Sequence, residues 1–237
     1  MNEQIKINIE KIRTQIKEAE IKAGRKAGSV KLLAVSKFHP VEAVYDAIAA
    51  GQMDFGENRV QEACSKFPEV FQKFPEAKLH IIGQLQTNKV KKAVEIASMI
   101  ESVDRIELVK EIEKQCARLE KKIEILLEFH TGEESKSGFK TEEALEETLE
   151  YISSGNAPHI IPRGFMTMAP FTDDEEKIRN SFSIMKQTAE KMQARFKNFN
   201  LDELSMGMTH DFEIAIQEGS TEVRVGTRSE EHTSELQ

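Results

Sequence analysis

The run KLLAVS at residues 31–36 decides the fold. It is short and apolar, without the polar alternation of a strand that has one wet face, so both of its faces are expected to be covered. A helical stretch lined by Val41, Val44 and Ile48 follows, and then a second short run, MDF at 53–55. Strand, helix, strand is the signature of a parallel crossover unit. The alternation continues through LHII (79–82), MIES (99–102), IEILLEF (123–129), HIIPRGFM (159–166), ELSM (203–206) and EVRV (222–225), which makes eight candidate strands. Helical faces lie between them. Val90, Val94 and Ala97 line one, and Ile106, Val109, Ile112, Cys116 and Leu119 another. The longest runs over 174–199, with Ile178, Phe182, Met185, Ala189, Met192, Phe196 and Phe199 at steps of three and four, and a short one covers 212–218.

Eight such units in 237 residues match the size of an α/β (β/α)8 TIM barrel. A doubly wound open sheet is the alternative, but no G-x-G-x-x-G follows the first strand, which disfavours a Rossmann dinucleotide site. Ahead of the first strand, Ile5, Ile9, Ile12 and Ile16 share one face, so an extra N-terminal helix is expected over 2–26. The acidic block TEEALEETLE (141–150) reads as the wet face of a helix.

Composition narrows the function. With 33 Lys+Arg against 41 Asp+Glu the net charge is -8, which argues against sequence-independent nucleic-acid binding. No apolar run reaches the length of a membrane span. The charged, amphipathic N-terminus is not a secretory signal, so a cytoplasmic location is expected. Cys64 and Cys116 are too few for a disulfide framework, and six dispersed histidines without H-x-x-x-H spacing give no metal motif. His80 alternates with Leu79 and Ile81 and reads as structural, while His130 and His210 sit at strand ends.

In a parallel barrel the chemistry gathers where the strands end. The first strand ends at Ser36-Lys37. A lysine there is either snorkelling to water or partly desolvated, in which case its neutral amine can attack an aldehyde. Gly226-Thr227, with Ser205-Met206-Gly207-Met208-Thr209 one strand earlier, suits an oxyanion; ordinary turn and capping roles are the alternative. Arg224 lies on the last strand and needs an acceptor partner unless it faces the surface. Asn58 and Asn88 follow the second and third strands as ligand-binding or turn residues.

Seven ordered segments carry a resemblance. LLAVSK (32–37), DFGEN-x-VQE (54–62), HIIGQLQTNK (80–89), SKSGF (135–139), GFMTMAP (164–170), LSMGM-x-x-DFE-x-AI (204–216) and GSTEVRVGT (219–227) resemble the pyridoxal phosphate homeostasis proteins, single-barrel, fold-type III relatives of the alanine racemase N-terminal domain. The resemblance covers about residues 5–227. It implies pyridoxal 5′-phosphate as cofactor, held as a Schiff base (the internal aldimine) on Lys37. It implies that Ser205, Gly226 and Thr227 hold the phosphate, that Arg224 faces the pyridine nitrogen, and that Asn58 and Met168 line the ring. Lys136 is a lesser candidate for cofactor exchange. Such proteins handle the cofactor without a settled reaction, so no catalytic residue is expected. The expected partners are the cofactor and PLP-dependent apo-enzymes, and the expected state is a monomer. Arg59 stands where such proteins often have Tyr, and Thr209 where they often have Ser.

An arginine at the ring nitrogen cannot accept a proton, which leaves the ring a weaker electron sink. Racemases of this fold work with such a ring but add a second base from a further domain. The expectation is therefore a cofactor carrier, with a racemase-like enzyme and a cofactor-free aldolase using Lys37 and Glu57 as alternatives. The decapeptide 228–237 (RSEEHTSELQ) reads as a non-native tail, leaving 1–227 as the barrel domain. A tail of this kind is expected to leave the seam between the first and last strands without its closing helix.

Overall fold

A computed structural model describes residues 2–132 and 137–226. Helix α1 (Glu3–Lys22) leads into β1 (Lys31–Val35), α2 (Val41–Ala49), β2 (Asp54–Glu57), α3 (Val60–Lys73), β3 (Lys78–Ile81), α4 (Val90–Ile96), β4 (Met99–Val103) and α5 (Ile106–Leu119). Then come β5 (Ile123–Glu128), α6 (Glu142–Tyr151), β6 (Ile160–Met166), α7 (Glu175–Arg195), β7 (Glu203–Met208), α8 (Phe212–Gln217) and β8 (Glu222–Val225). The eight strands close into a barrel in sequence order, all parallel, with β1 pairing both β2 and β8. All eight expected strands are present. The second reaches on to Glu57 and the seventh to Met208, so Gly56, Glu57, Gly207 and Met208 belong to the sheet rather than to the loops after it.

Local signals set the helix starts. The side chains of Asn2, Thr141 and Asp174 each accept a backbone N–H of the turn that follows, at the starts of α1, α6 and α7. The long helix ends at Arg195, short of the expected 199, because the chain leaves helical geometry at Phe196; Phe196 and Phe199 then stack with ring centroids 6.5 Å apart.

Most of the core lies between the strands and the helices. Phe55 of β2 packs on Phe67 of α3 at 6.0 Å between ring centroids. The seam between β8 and β1 is covered by α1 together with α8: Ile12, Ile16 and Ala19 pack with Phe212, Ile216, Val223, Val225 and Leu32. Loop 23–30 is tied down by Glu20, whose carboxylate accepts from the amides of Gly28 and Val30 at 2.8 and 2.7 Å.

The lumen of the barrel is only partly apolar. Met99, Leu126 and Met166 cluster from β4, β5 and β6. Beside them, and beside Leu33 in register with Arg224, lie polar side chains. Glu101 on β4 is bonded to Ser205 on β7, and such a contact between opposite strands runs through the barrel.

Gly164 marks a tight point of the wall. Register shifts between Ile125 and Leu126 across β5 and β6, and φ at Gly164 is +150°. A Cβ there would lie 1.9 Å from the carbonyl oxygen of Glu203. Gly164→Ala is expected to cost about 2–4 kcal/mol, read as a lower denaturation midpoint in urea.

Candidate functional site

The strand ends build the site in two layers. The lower layer is a buried polar chain. Arg224, 4 % exposed, donates through one nitrogen to the Ser205 hydroxyl at 2.8 Å and through the other to the carbonyl of Thr167 at 2.9 Å. Ser205 donates to Glu101 at 2.6 Å, and the other oxygen of Glu101 lies 2.6 Å from Nδ1 of His80. Burial works against the charge on Glu101, but His80, Arg224 and Ser205 outweigh it and hold its carboxyl below the usual range. Burial likewise opposes a charged His80, and the bond to Glu101 outweighs it, so the imidazole titrates above its ordinary value.

Beneath them sits Glu222, 1 % exposed. Neither of its oxygens accepts a hydrogen bond among the described residues, and the nearest cations, Lys31 Nζ and His80 Nδ1, are both 3.9 Å away. Burial and the neighbouring charge of Glu101 push its carboxyl up to about 8. A proton kept on Glu222 gives Glu101 a donor, which resolves the contact of two buried acids. His80, Glu101 and Glu222 thus come together although the histidines are scattered in sequence. Their ligand atoms lie within 4.8 Å of one another, but the 2.6 Å pair of His80 and Glu101 makes them an ion network around a retained proton.

The upper layer is the rim. Val35 packs beside Gly226, where an added Cβ would meet its side chain at 3.3 Å. Lys37, half-buried, lies two residues beyond Val35. Thr209 Oγ1 sits 3.4 Å from the Gly226 amide and 3.3 Å from its carbonyl oxygen. The turn that carries Thr209 is fixed by Asp211, which accepts from the Met208 amide at 2.5 Å. It passes close over α8: at Gly207, with φ +98°, a Cβ would come within 2.6 Å of Ala215. Gly83 touches the backbone of Asn58 so closely that a Cβ would fall 2.4 Å from the Asn58 carbonyl oxygen, which sets Asn58 at the end of β2. Met168, half-buried, joins the Met99, Leu126 and Met166 cluster at the wall of the lumen.

The residues expected from the sequence therefore divide. Lys37, Gly226, Asn58 and Met168 lie at or near the carboxyl ends of the strands, and Arg224 lies just below them. Ser205, expected among the phosphate donors, is fully buried with its hydroxyl engaged by Glu101 and Arg224; Thr209 is the hydroxyl beside Gly226. Thr227 and Lys136 lie outside the described residues, as does 228–237. Glu57 does not serve as an acid beside a free Lys37, because it is buried in an ion pair with Lys66. Glu101 and Glu222 carried no sequence signal, since a lone acid in a short strand looks like an ordinary wet position.

Known proteins match the whole barrel. The alanine racemase N-terminal domain family covers residues 7–228. A pyridoxal phosphate homeostasis protein of Vibrio alginolyticus is 38 % identical over 226 residues, 94 % of this chain and 95 % of its own. PipY of Synechococcus elongatus, solved with PLP bound, is 34 % identical with a TM-score of 0.78, over 89 % of this chain and 97 % of that one. Alanine racemase of Bacillus anthracis shares the fold at 17 % identity and a TM-score of 0.63; the match covers 91 % of this chain and 54 % of the racemase.

The proton on Glu222 has a measurable consequence. The folded chain holds it up to about pH 8, whereas an unfolded carboxylate releases it near 4.3. The folded state therefore binds more protons, and stability falls as pH rises between those values. Glu222→Gln is expected to make that slope shallower: near parity with the parent at about pH 4.5, and about 4 kcal/mol more stable at pH 8. Denaturant melts at both pH values read it, and a slope equal to the parent's contradicts the assignment.

Proposed function

The chain belongs to the alanine racemase N-terminal domain family and, within it, to the pyridoxal phosphate homeostasis proteins, and on that premise we propose that it binds pyridoxal 5′-phosphate at the carboxyl ends of its strands and keeps it as a cellular store. The observation that carries this reading is Arg224, held from below by Ser205 and Thr167 in the lumen, next to a glycine rim that leads to Lys37.

The residues fit the group. Pyridoxal phosphate supplies an aldehyde that condenses with a primary amine, and Lys37, in the turn that follows β1, would supply that amine. Gly226 packs on Val35, which an added Cβ would crowd at 3.3 Å, and its amide, with only a long 3.4 Å contact to Thr209, would donate to a phosphate. Thr209 adds a hydroxyl donor, in the role first expected of Ser205. Met168 and Asn58 flank the ring. Arg224 presents donors only, so a ring nitrogen bound beside it would stay an acceptor and would not be protonated by this residue. A neutral ring withdraws electrons weakly, which suits holding the cofactor more than converting a substrate on it.

The protein is therefore read as a cofactor-handling protein and not as an enzyme with its own reaction. Apo-enzymes that need the cofactor are the proposed recipients, and the cytosol the proposed place. Among the described residues no helix is long and apolar enough to cross a membrane.

The test is a visible absorption spectrum. Purified chain mixed with pyridoxal phosphate is expected to turn yellow, and borohydride is expected to fix the label on Lys37. Lys37→Ala is expected to lose the colour and the label while melting within a few degrees of the parent. An uncoloured parent, or labelling that persists in Lys37→Ala, sinks the assignment. Amino-acid racemisation at enzyme-like rates, lost with Lys37, would instead favour the racemase reading.

A further inference from the structure

Lys37 sits in a turn that ought to be uncomfortable. The His39 amide donates to the Ser36 carbonyl at 3.2 Å, closing a four-residue turn with Lys37 and Phe38 at its centre. Phe38 has φ +62°. That left-handed conformation belongs to glycine or asparagine at this position of a turn, and a residue with a bulky Cβ substituent adopts it only under constraint. The Phe38 ring is 52 % exposed, with the Arg59 guanidinium 5.7 Å and Lys37 Nζ 5.9 Å from its centroid; cation–π contacts at such an exposed site are worth only about 0.5–1 kcal/mol each and hold the ring more than the backbone.

The constraint comes from three charged side chains beneath the turn. Lys66 of α3 is 7 % exposed, and its ammonium donates to Ser36 O at 2.8 Å, Glu57 Oε1 at 2.7 Å and Glu62 Oε1 at 3.1 Å. Three acceptors use the three protons of the group. Both acids also grip the turn: Glu57 Oε1 accepts from the Ser36 hydroxyl at 2.7 Å, and Glu62 Oε1 accepts from the Phe38 amide at 2.5 Å. The Ser36 hydroxyl, the Ser36 carbonyl and the Phe38 amide are thus all held, on both sides of Lys37. A buried ion pair gains little stability over apolar packing, because desolvation offsets the attraction. Burying Glu57 completely, with its second oxygen unsatisfied, is a costly way merely to stabilise a fold.

We propose that Lys66, Glu57 and Glu62 form a positioning clamp that holds the Ser36–His39 turn in its strained shape, so that the Lys37 amine is presented to the aldehyde of the bound cofactor. The inference rests on the cofactor reading above. In the step it serves, the unprotonated amine adds to the aldehyde carbon, a C–N bond forms, and the aldehyde oxygen leaves as water with two protons that began on nitrogen. The clamp residues touch neither reacting atom. Their contribution is orientation, to which rates of such additions are sensitive.

The test separates capture from binding. Glu62→Ala removes the grip on the Phe38 amide at a partly exposed position and is expected to fold. With pyridoxal phosphate, the rate of Lys37 labelling trapped by borohydride is expected to fall about tenfold or more. Affinity for pyridoxine 5′-phosphate, which has an alcohol in place of the aldehyde, is expected to stay within about twofold of the parent, since no covalent bond is involved. Glu62→Gln keeps an acceptor and is expected to recover most of the rate. Phe38→Gly in the Glu62→Ala background is expected to recover it too, because glycine holds φ +62° without help. Labelling of Glu62→Ala at the parent's rate overturns the clamp while leaving the cofactor reading intact. A parallel loss of pyridoxine phosphate affinity overturns it as well, marking a general structural role, as does failure of Phe38→Gly to restore the rate. A parent that never labels at Lys37 overturns both readings.

Discussion

One carboxylate spans the barrel. Glu101 leaves β4, takes the His80 imidazole of β3 on one oxygen and reaches across the lumen with the other to Ser205 of β7, which in turn accepts from Arg224 of β8. A small barrel more commonly fills this space with layers of branched apolar side chains. Replacing part of that filling with charges costs solvation, and the cost is tolerable only because each charge meets its partners at short range. Removing Glu101 alone would strand His80 and leave Ser205 and Arg224 without their anchor. The polar lumen is thus a single device whose parts stand or fall together.

What the device produces is an arginine with no freedom. Two of the guanidinium's nitrogens are engaged by Ser205 and Thr167, so Arg224 points where the barrel wall dictates. The arrangement under Lys37 follows the same logic on the outer side of the sheet, where Lys66, Glu57 and Glu62 fix the turn after β1. The two supports belong to different elements and share no residue. Each sets one contact of the proposed cofactor, ring nitrogen or aldehyde, with geometry prepared in advance.

Much of this fold is written locally. Short apolar runs separated by amphipathic stretches are properties of neighbouring residues, so all eight strands could be found from the chain alone. Lys37, Arg224 and Gly226 are marked by their places on or after strands, each with an ordinary alternative, and the family resemblance decides between the readings. The supports carry no such mark. The bond between Glu101 and Ser205 joins residues 104 positions apart, and neither residue is unusual where it stands. Lys66 lies on a helix whose other residues follow an ordinary pattern. The resemblance implies a phosphate role for Ser205, but strand alternation turns its side chain into the lumen, where Glu101 and Arg224 engage it, and leaves Thr209 beside Gly226. The role of α1 on the seam between β1 and β8 was equally hidden, because an apolar helical face says that it is covered and not by what.

The polar lumen also bears on what such a barrel can do with an electron-poor ring. A catalyst that builds negative charge on a bound cofactor gains from an acid that protonates the ring nitrogen. Glu101, Glu128 and Glu222 are buried in or near this barrel, but Arg224 is the residue proposed to meet the ring, and Glu101 is already engaged by His80 and Ser205. The proton that Glu222 keeps is held beneath Glu101, below that arginine. Glu101 reaches the arginine through Ser205, while Glu128 is bonded to Ser137 and Glu222 is bonded to neither Ser205 nor Arg224. An arginine at the ring nitrogen would leave the ring a weak electron sink, and since racemases of this fold still work with such a ring, what separates the proposed store from a catalyst is the second base that they add.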